Sequence, residues 1–136
     1  MPLNRSIELR NSTISGVSDE NSIIIVNLDP AVVHESDGHP GIDTGATFLQ
    51  AVRLRIADPG PRLVLDNLPC AIASGTLTIG GQNHHNLIAL PMVYGGPTEF
   101  RCLTTAGETL HIRGKGIALV FSGERKYIVG APRGLT

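Results

Sequence analysis

The sequence predicts an all-β protein: an antiparallel β-sandwich or small barrel of about ten short strands, ending in a meander and holding at most one short helical turn. Three observations carry this. Apolar and polar residues alternate with period two in one segment after another. No useful length repeats at i, i+3, i+4, i+7 without interruption by Gly, Pro or Asn. Sixteen Gly and nine Pro punctuate 136 residues, a length suited to one domain, residues 1–136.

The elements follow in order. Residues 6–14 alternate Ile7 and Leu9 against Glu8 and Arg10, a first strand, and Gly16 to Glu20 reads as the turn that ends it. Ser22 to Leu28 holds the unbroken run Ile23-Ile24-Ile25-Val26, the pattern of a strand covered on both faces. Asp29-Pro30 stops that run, because proline donates no ladder bond, and Ala31 to His34 forms a short strand beyond it. Phe48 to Ile56 is the clearest amphipathic strand, with Phe48, Val52, Leu54 and Ile56 inward and Arg53 and Arg55 outward; Gln50 is its one polar intrusion. Residues 62–65 form another short strand, and 68–73 would hold the helical turn. Thr76 to Ile79 and 86–93 read as a hairpin around Gly80-Gly81-Gln82-Asn83. Strands at 99–104, 109–114 and 117–121 continue as the meander, and a last short strand at 126–129 leads into a tail at 130–136 with little to anchor it.

Ile, Leu, Val and Phe supply a packed core, but three Phe, two Tyr and no Trp mean that aliphatic side chains must fill it. No run approaches the roughly 18 apolar residues of a membrane helix, and Met1-Pro2-Leu3-Asn4-Arg5 lacks the apolar stretch of an export signal. A cytoplasmic protein with no membrane partner is expected. The net charge of −1 is poor electrostatics for a phosphate backbone, so no nucleic-acid partner is expected either. Charge is nevertheless uneven. Between Arg10 and Arg53 there is no basic residue, while Asp19, Glu20, Asp29, Glu35, Asp37 and Asp43 fall there. Internal compensation across the fold accounts for such a pattern, and so does a basic partner. Cys70 and Cys102 lack C-x-x-C or zinc-finger spacing, and Cys102, alternating in phase with Phe100, reads as a small buried hydrophobe.

The segment richest in reactive groups is His34-Glu35-Ser36-Asp37-Gly38-His39-Pro40-Gly41-Ile42-Asp43-Thr44-Gly45, read as a loop. Two functional readings attach to it. In the first, the protein is a non-catalytic binding or accessory module, with His34, Glu35, Asp37, His39 and Asp43 presented to a protein partner. In the second, His34, His39, Asp43 and His84 hold a divalent metal for a small-molecule enzyme or sensor. Against both stands ordinary turn chemistry: Ser36-Asp37-Gly38 and Pro40-Gly41 are turn formers, and Asp side chains bond their own backbone amides. His84 and His85, being neighbours in a strand, point to opposite faces, so at most one of them reaches a given ion. His111 reads as an exposed strand residue. There is no G-x-S-x-G elbow, phosphate-binding G-x-x-x-x-G-K-[ST] loop or H-E-x-x-H, so no catalytic residue is assigned. Edge strands of a small sandwich must be paired, covered or charged, which leaves homo-oligomerisation open.

The segments 33–43, 75–79 with 86–91, and Glu108-Thr109-Leu110-His111-Ile112-Arg113-Gly114-Lys115-Gly116 resemble a family of small bacterial all-β proteins to which no activity is assigned. The resemblance implies a bacterial cytoplasmic protein and transfers no catalytic residue.

Overall fold

The computed structural model describes residues 4–39, 42, 45–60, 65–90 and 92–127. Its spine is a long antiparallel pair, β3 (Ile23–Ser36) with β4 (Ala46–Ala57), joined in register from Ile23 opposite Ala57 to Glu35 opposite Ala46. The expected break at Asp29-Pro30 is a bulge instead: the register shifts between Leu28 and Ala31, and β3 continues through it. One irregularity absorbs the missing donor of Pro30, so the two strands expected on either side are one of 14 residues. The β-branched run sits centrally as its composition requires. Ile24, Val26 and Leu28 are fully buried on one face, and Ile25 on the other is only 9% exposed.

The two halves of β3 have different neighbours. β1 (Asn4–Glu8) pairs with its second half and β2 (Thr13–Glu20) with its first. The single strand expected over 6–14 is split by a corner at Asn11, whose φ of 73° is tolerated by Asn better than by most side chains. Ser12, fully buried, seals that corner: its hydroxyl donates to the Glu8 carbonyl at 2.6 Å and accepts from the Val32 amide at 2.9 Å. The turn expected at Gly16–Glu20 lies later, at Asn21-Ser22, both with positive φ as a two-residue hairpin of this twist demands. Gly16 occupies a register shift inside β2.

β5 (Cys70–Ile79) replaces the expected helical turn. Its first residues pair with β2, and the rest crosses into a second layer beside β9 (Thr98–Thr104). Gly80-Gly81, at φ 55° and 80°, returns the chain as β6 (Gln82–His85), so the hairpin partner of β5 is shorter and earlier than expected. At Asn86, φ 66°, the chain leaves this layer. Its backbone and side-chain oxygens accept from the Leu9 and Arg10 amides, and its own amide bonds the Gly75 carbonyl, tying the layers together. β7 (Leu87–Leu90) then pairs with β1.

β9 and β10 (Thr109–Gly114) form a hairpin, but the meander ends there. β11 (Gly116–Phe121) pairs with β4 and with β8 (Met92–Tyr94) rather than with β10, because the Lys115 amide bonds the Ala57 carbonyl and hands the chain to the first layer. β12 (Lys126–Tyr127) closes against the start of β4. The strands run β10-β9-β5-β2-β3-β4-β11-β8 without closing into a barrel, and the described residues contain no helix. The arrangement is sandwich-like. Leu77, Phe100, Leu110 and Ile112 of the second layer pack with Ile14, Ile24, Val26, Leu54 and Ile56 of the first in one aliphatic core. Gly114 lies close against β4: a Cβ there would overlap the Ile56 side chain and stand 2.7 Å from the Ala57 carbonyl. The strand expected at 62–65 lies outside the described residues save for its buried end, Leu65, as do the tail and the end of the last strand beyond 127.

Candidate functional site

The segment read as a loop from His34 begins as strand, since β3 runs to Ser36. His34 is 2% exposed; its Nδ1 lies 3.0 Å from the hydroxyl of Thr47, its cross-strand neighbour, and its Nε2 lies 2.7 Å from Glu8 Oε1. Both ring nitrogens are thus committed to the scaffold. Glu35, on the other face, sits between two guanidinium groups, with Arg5 at 3.2 Å and Arg125 at 3.6 Å. Each of those arginines also lies over an aromatic ring, Arg5 over Phe121 and Arg125 over Phe48 at 4.1 Å. This is a structural cap on the end of the core.

The segment turns immediately afterwards. The Ser36 hydroxyl accepts from the Gly38 amide, Asn4 donates to the Gly38 carbonyl, and the Ile42 amide bonds the His39 carbonyl. Gly45 returns the chain so close to Glu35 that a Cβ would collide with its carbonyl oxygen. Asp37, His39 and Ile42 are exposed, Ile42 at 72%; Asp43 lies outside the described residues.

The six acidic residues do not gather on this loop. Asp19 and Glu20 flank the β2–β3 turn, at the opposite end of a strand that, at roughly 3.3 Å per residue, spans about 40 Å. Asp29 lies at the bulge between them. With Glu35 compensated, the one-sided charge of the sequence is not a one-sided surface.

The loop instead supplies one wall of a cleft. Asn4, Arg5 and Ser6 of β1, Gly38, His39 and Ile42 of this segment, and His84 with Leu87 and Leu90 line an open cleft of about 360 Å³. The corner at Asn86 makes this possible, because it swings β7 onto β1 while β6 stays with β5. His84 and His85 part as their alternation requires: His84 lines this cleft, and His85 lines a different one on the outward face of β5. His84 Nε2 is buried and has no hydrogen-bond partner among the described residues. Of the proposed metal ligands, His39 and His84 share the cleft and His34 does not. No three His, Cys, Asp or Glu side chains come together as a ligand set among the described residues.

A second polar constellation escaped the sequence reading. On the outward face of the second layer the register aligns His85, Thr76, Arg101 and His111 in one cross-strand row and Asn83, Thr78, Glu99 and Arg113 in the next. The polar alternation of each strand was visible in the sequence. Their alignment into rows depends on register, which was not. Glu99 takes a hydrogen bond from His111 and a longer one from Arg113, and these hold its carboxyl below the usual carboxylate range. The cysteines are free: burial pushes the Cys102 thiol up to about 12, whereas the Thr105 hydroxyl, 3.2 Å from the Cys70 sulfur, leads the contacts that lower that thiol.

Among the described residues no helix is long and apolar enough to cross a membrane. Comparison of the chain with protein-family models, with curated proteins and with solved structures finds no match in any of the three.

Proposed function

We propose that the protein is a non-catalytic binding module and that the cleft between Gly38, His39 and Ile42 on one side and His84 and β7 on the other is its recognition surface, acting on a protein partner in the cytoplasm. The observation that carries this reading is His84 Nε2, a buried nitrogen with no hydrogen-bond partner among the described residues, on a side chain that lines an open cleft. An unsatisfied buried nitrogen costs about 1–3 kcal/mol, a cost that a partner's donor or acceptor would remove on binding. Leu87, Leu90 and exposed Ile42 offer apolar contact around it. The volume suits one inserted side chain with an apolar body and a polar tip better than a whole cofactor.

The test follows the imidazole signals of His39 and His84 by NMR while N-acetyl amino-acid amides, one for each side-chain type, are titrated in. A subset with apolar bodies and polar tips moves both signals in the wild type and loses affinity in His84→Ala. A panel that moves neither, or moves only signals elsewhere, overturns the reading.

The metal reading keeps one observation in its favour, the shared position of His39 and His84. It requires zinc or nickel to broaden or shift both imidazoles at equimolar concentration. Its failure leaves the binding module untouched.

A further inference from the structure

We propose that the outward face of β5, β6, β9 and β10 is a second, independent binding site, for a small hydroxylated oxyanion such as a sugar phosphate or a sugar acid. The geometry is set by register. Thr76 lies between His85 on β6 and Arg101 on β9, and Thr78 lies between Asn83 and Glu99, so six polar side chains on three adjacent strands line one shallow cleft of about 280 Å³.

The internal hydrogen bonds decide what remains for a ligand. Thr78 donates to Asn83 Oδ1 at 2.7 Å, and the Asn83 amide group carries two N–H donors besides. The Thr76 hydroxyl lies 3.0 Å from His85 Nδ1. With the hydroxyl donating, the ring carries its proton on Nε2 and presents a further donor. Arg101 is exposed and makes no ion pair with any described residue. The one carboxylate nearby, Glu99, receives His111 and Arg113 on the same oxygen, Oε2, and keeps Oε1 as an acceptor. The cleft therefore presents a guanidinium without an ion pair among the described residues, with amide and imidazole donors around it and the Glu99 carboxylate as its charged acceptor. That pattern matches an oxyanion carried on a molecule that also donates from a hydroxyl: the oxyanion on Arg101 and His85, the hydroxyl on Glu99 Oε1. Among the described residues no Phe, Tyr or Trp lines the cleft, so recognition rests on hydrogen bonds and charge and should weaken as salt rises.

Isothermal titration of the full chain with glucose 6-phosphate, glucuronate and glucose tests this. At least one of the two anions binds in the millimolar range or tighter, neutral glucose binds at least tenfold more weakly, and Arg101→Gln removes at least tenfold of the anion's affinity. The stronger of the two anions identifies the oxyanion. Inorganic phosphate is titrated as well, and Glu99→Gln, the second variant, reduces the preference for glucose 6-phosphate over inorganic phosphate, whereas an unchanged preference overturns the assignment of the hydroxyl to Glu99. Failure of both anions to bind, glucose binding as well as they do, or equal affinity in Arg101→Gln overturns the proposal. None of these results bears on the His84 cleft, since His84 and His85 line different clefts.

Discussion

Replacing His34 by Ala separates a scaffold histidine from a ligand-presenting one. The ring is 2% exposed and makes two hydrogen bonds, at 2.7 Å to the Glu8 carboxylate and at 3.0 Å to the Thr47 hydroxyl. A bond to a charged group is worth about 1.5–3 kcal/mol and one between neutral groups about 0.5–1.5 kcal/mol. Glu8 is 15% exposed, so water recovers part of its loss, whereas Thr47 at 5% recovers little. The net cost is about 3 kcal/mol. With an unfolding entropy of roughly 2.1 cal/mol/K per residue, a chain of 136 residues loses about 10 °C in Tm. Urea unfolding of wild type, His34→Ala, Glu8→Ala and the double variant measures both the cost and the coupling, which should reach about 1 kcal/mol or more. His39→Ala, at an exposed position, should stay within about 0.5 kcal/mol of wild type. A His34→Ala cost under about 1 kcal/mol with no coupling to Glu8 would show that His34 is not part of the scaffold, and the placement of β3 beyond Pro30 would fall with it.

Iodoacetamide at pH 8 under native conditions should label Cys70 and spare Cys102 until the chain unfolds; equal labelling of both would contradict the packing of β9 against the core. Gly114→Ala should cost about 1–3 kcal/mol by thermal unfolding, since β10 must back away from Ile56 and the Ala57 carbonyl, and a neutral effect would mean the layers are further apart. Glu99, lowered first by His111 and then by Arg113, and Glu108, lowered by the Asp66 and Asn67 amides, both favour the folded state when ionised. Their contribution is full above the ordinary carboxyl value of 4.5 and disappears as pH falls through the lower folded values. Tm should therefore decline below about pH 4.5, and a Glu99→Gln, Glu108→Gln double variant should flatten that decline.

Much of the architecture was legible because it is written in side-chain period. Val52, Leu54 and Ile56 are buried and Arg53 and Arg55 exposed, as strict alternation in β4 requires. Gln50, the polar intrusion in that strand, is half-buried: its Nε2 bonds the Gly123 carbonyl and its Oε1 has no partner among the described residues. The corners were less legible. Three sit on Asn11, Asn21 and Asn86, whose left-handed backbones carry no Gly or Pro signal, and each error there moved a strand boundary or a pairing partner. Pro30 misled in the opposite direction, because a proline that interrupts a ladder need not end the strand. His34 ends the expected strand 31–34 and also opens the segment read as a loop, and its burial was not legible because it depends on Glu8 and Thr47, which are distant in sequence. The cleft at His84 depends on β7 crossing to β1, a non-local pairing that no short window of sequence contains.

The claim on which the functional account rests is that His39, Ile42 and His84 act together as one recognition surface. Affinity of the best-binding amide, measured by isothermal titration against wild type, His39→Ala, His84→Ala and the double variant, tests it most directly. The account predicts that each single variant weakens binding at least fivefold and that the double variant loses less than the product of the two. Unchanged affinity in all three variants would place recognition elsewhere on the molecule.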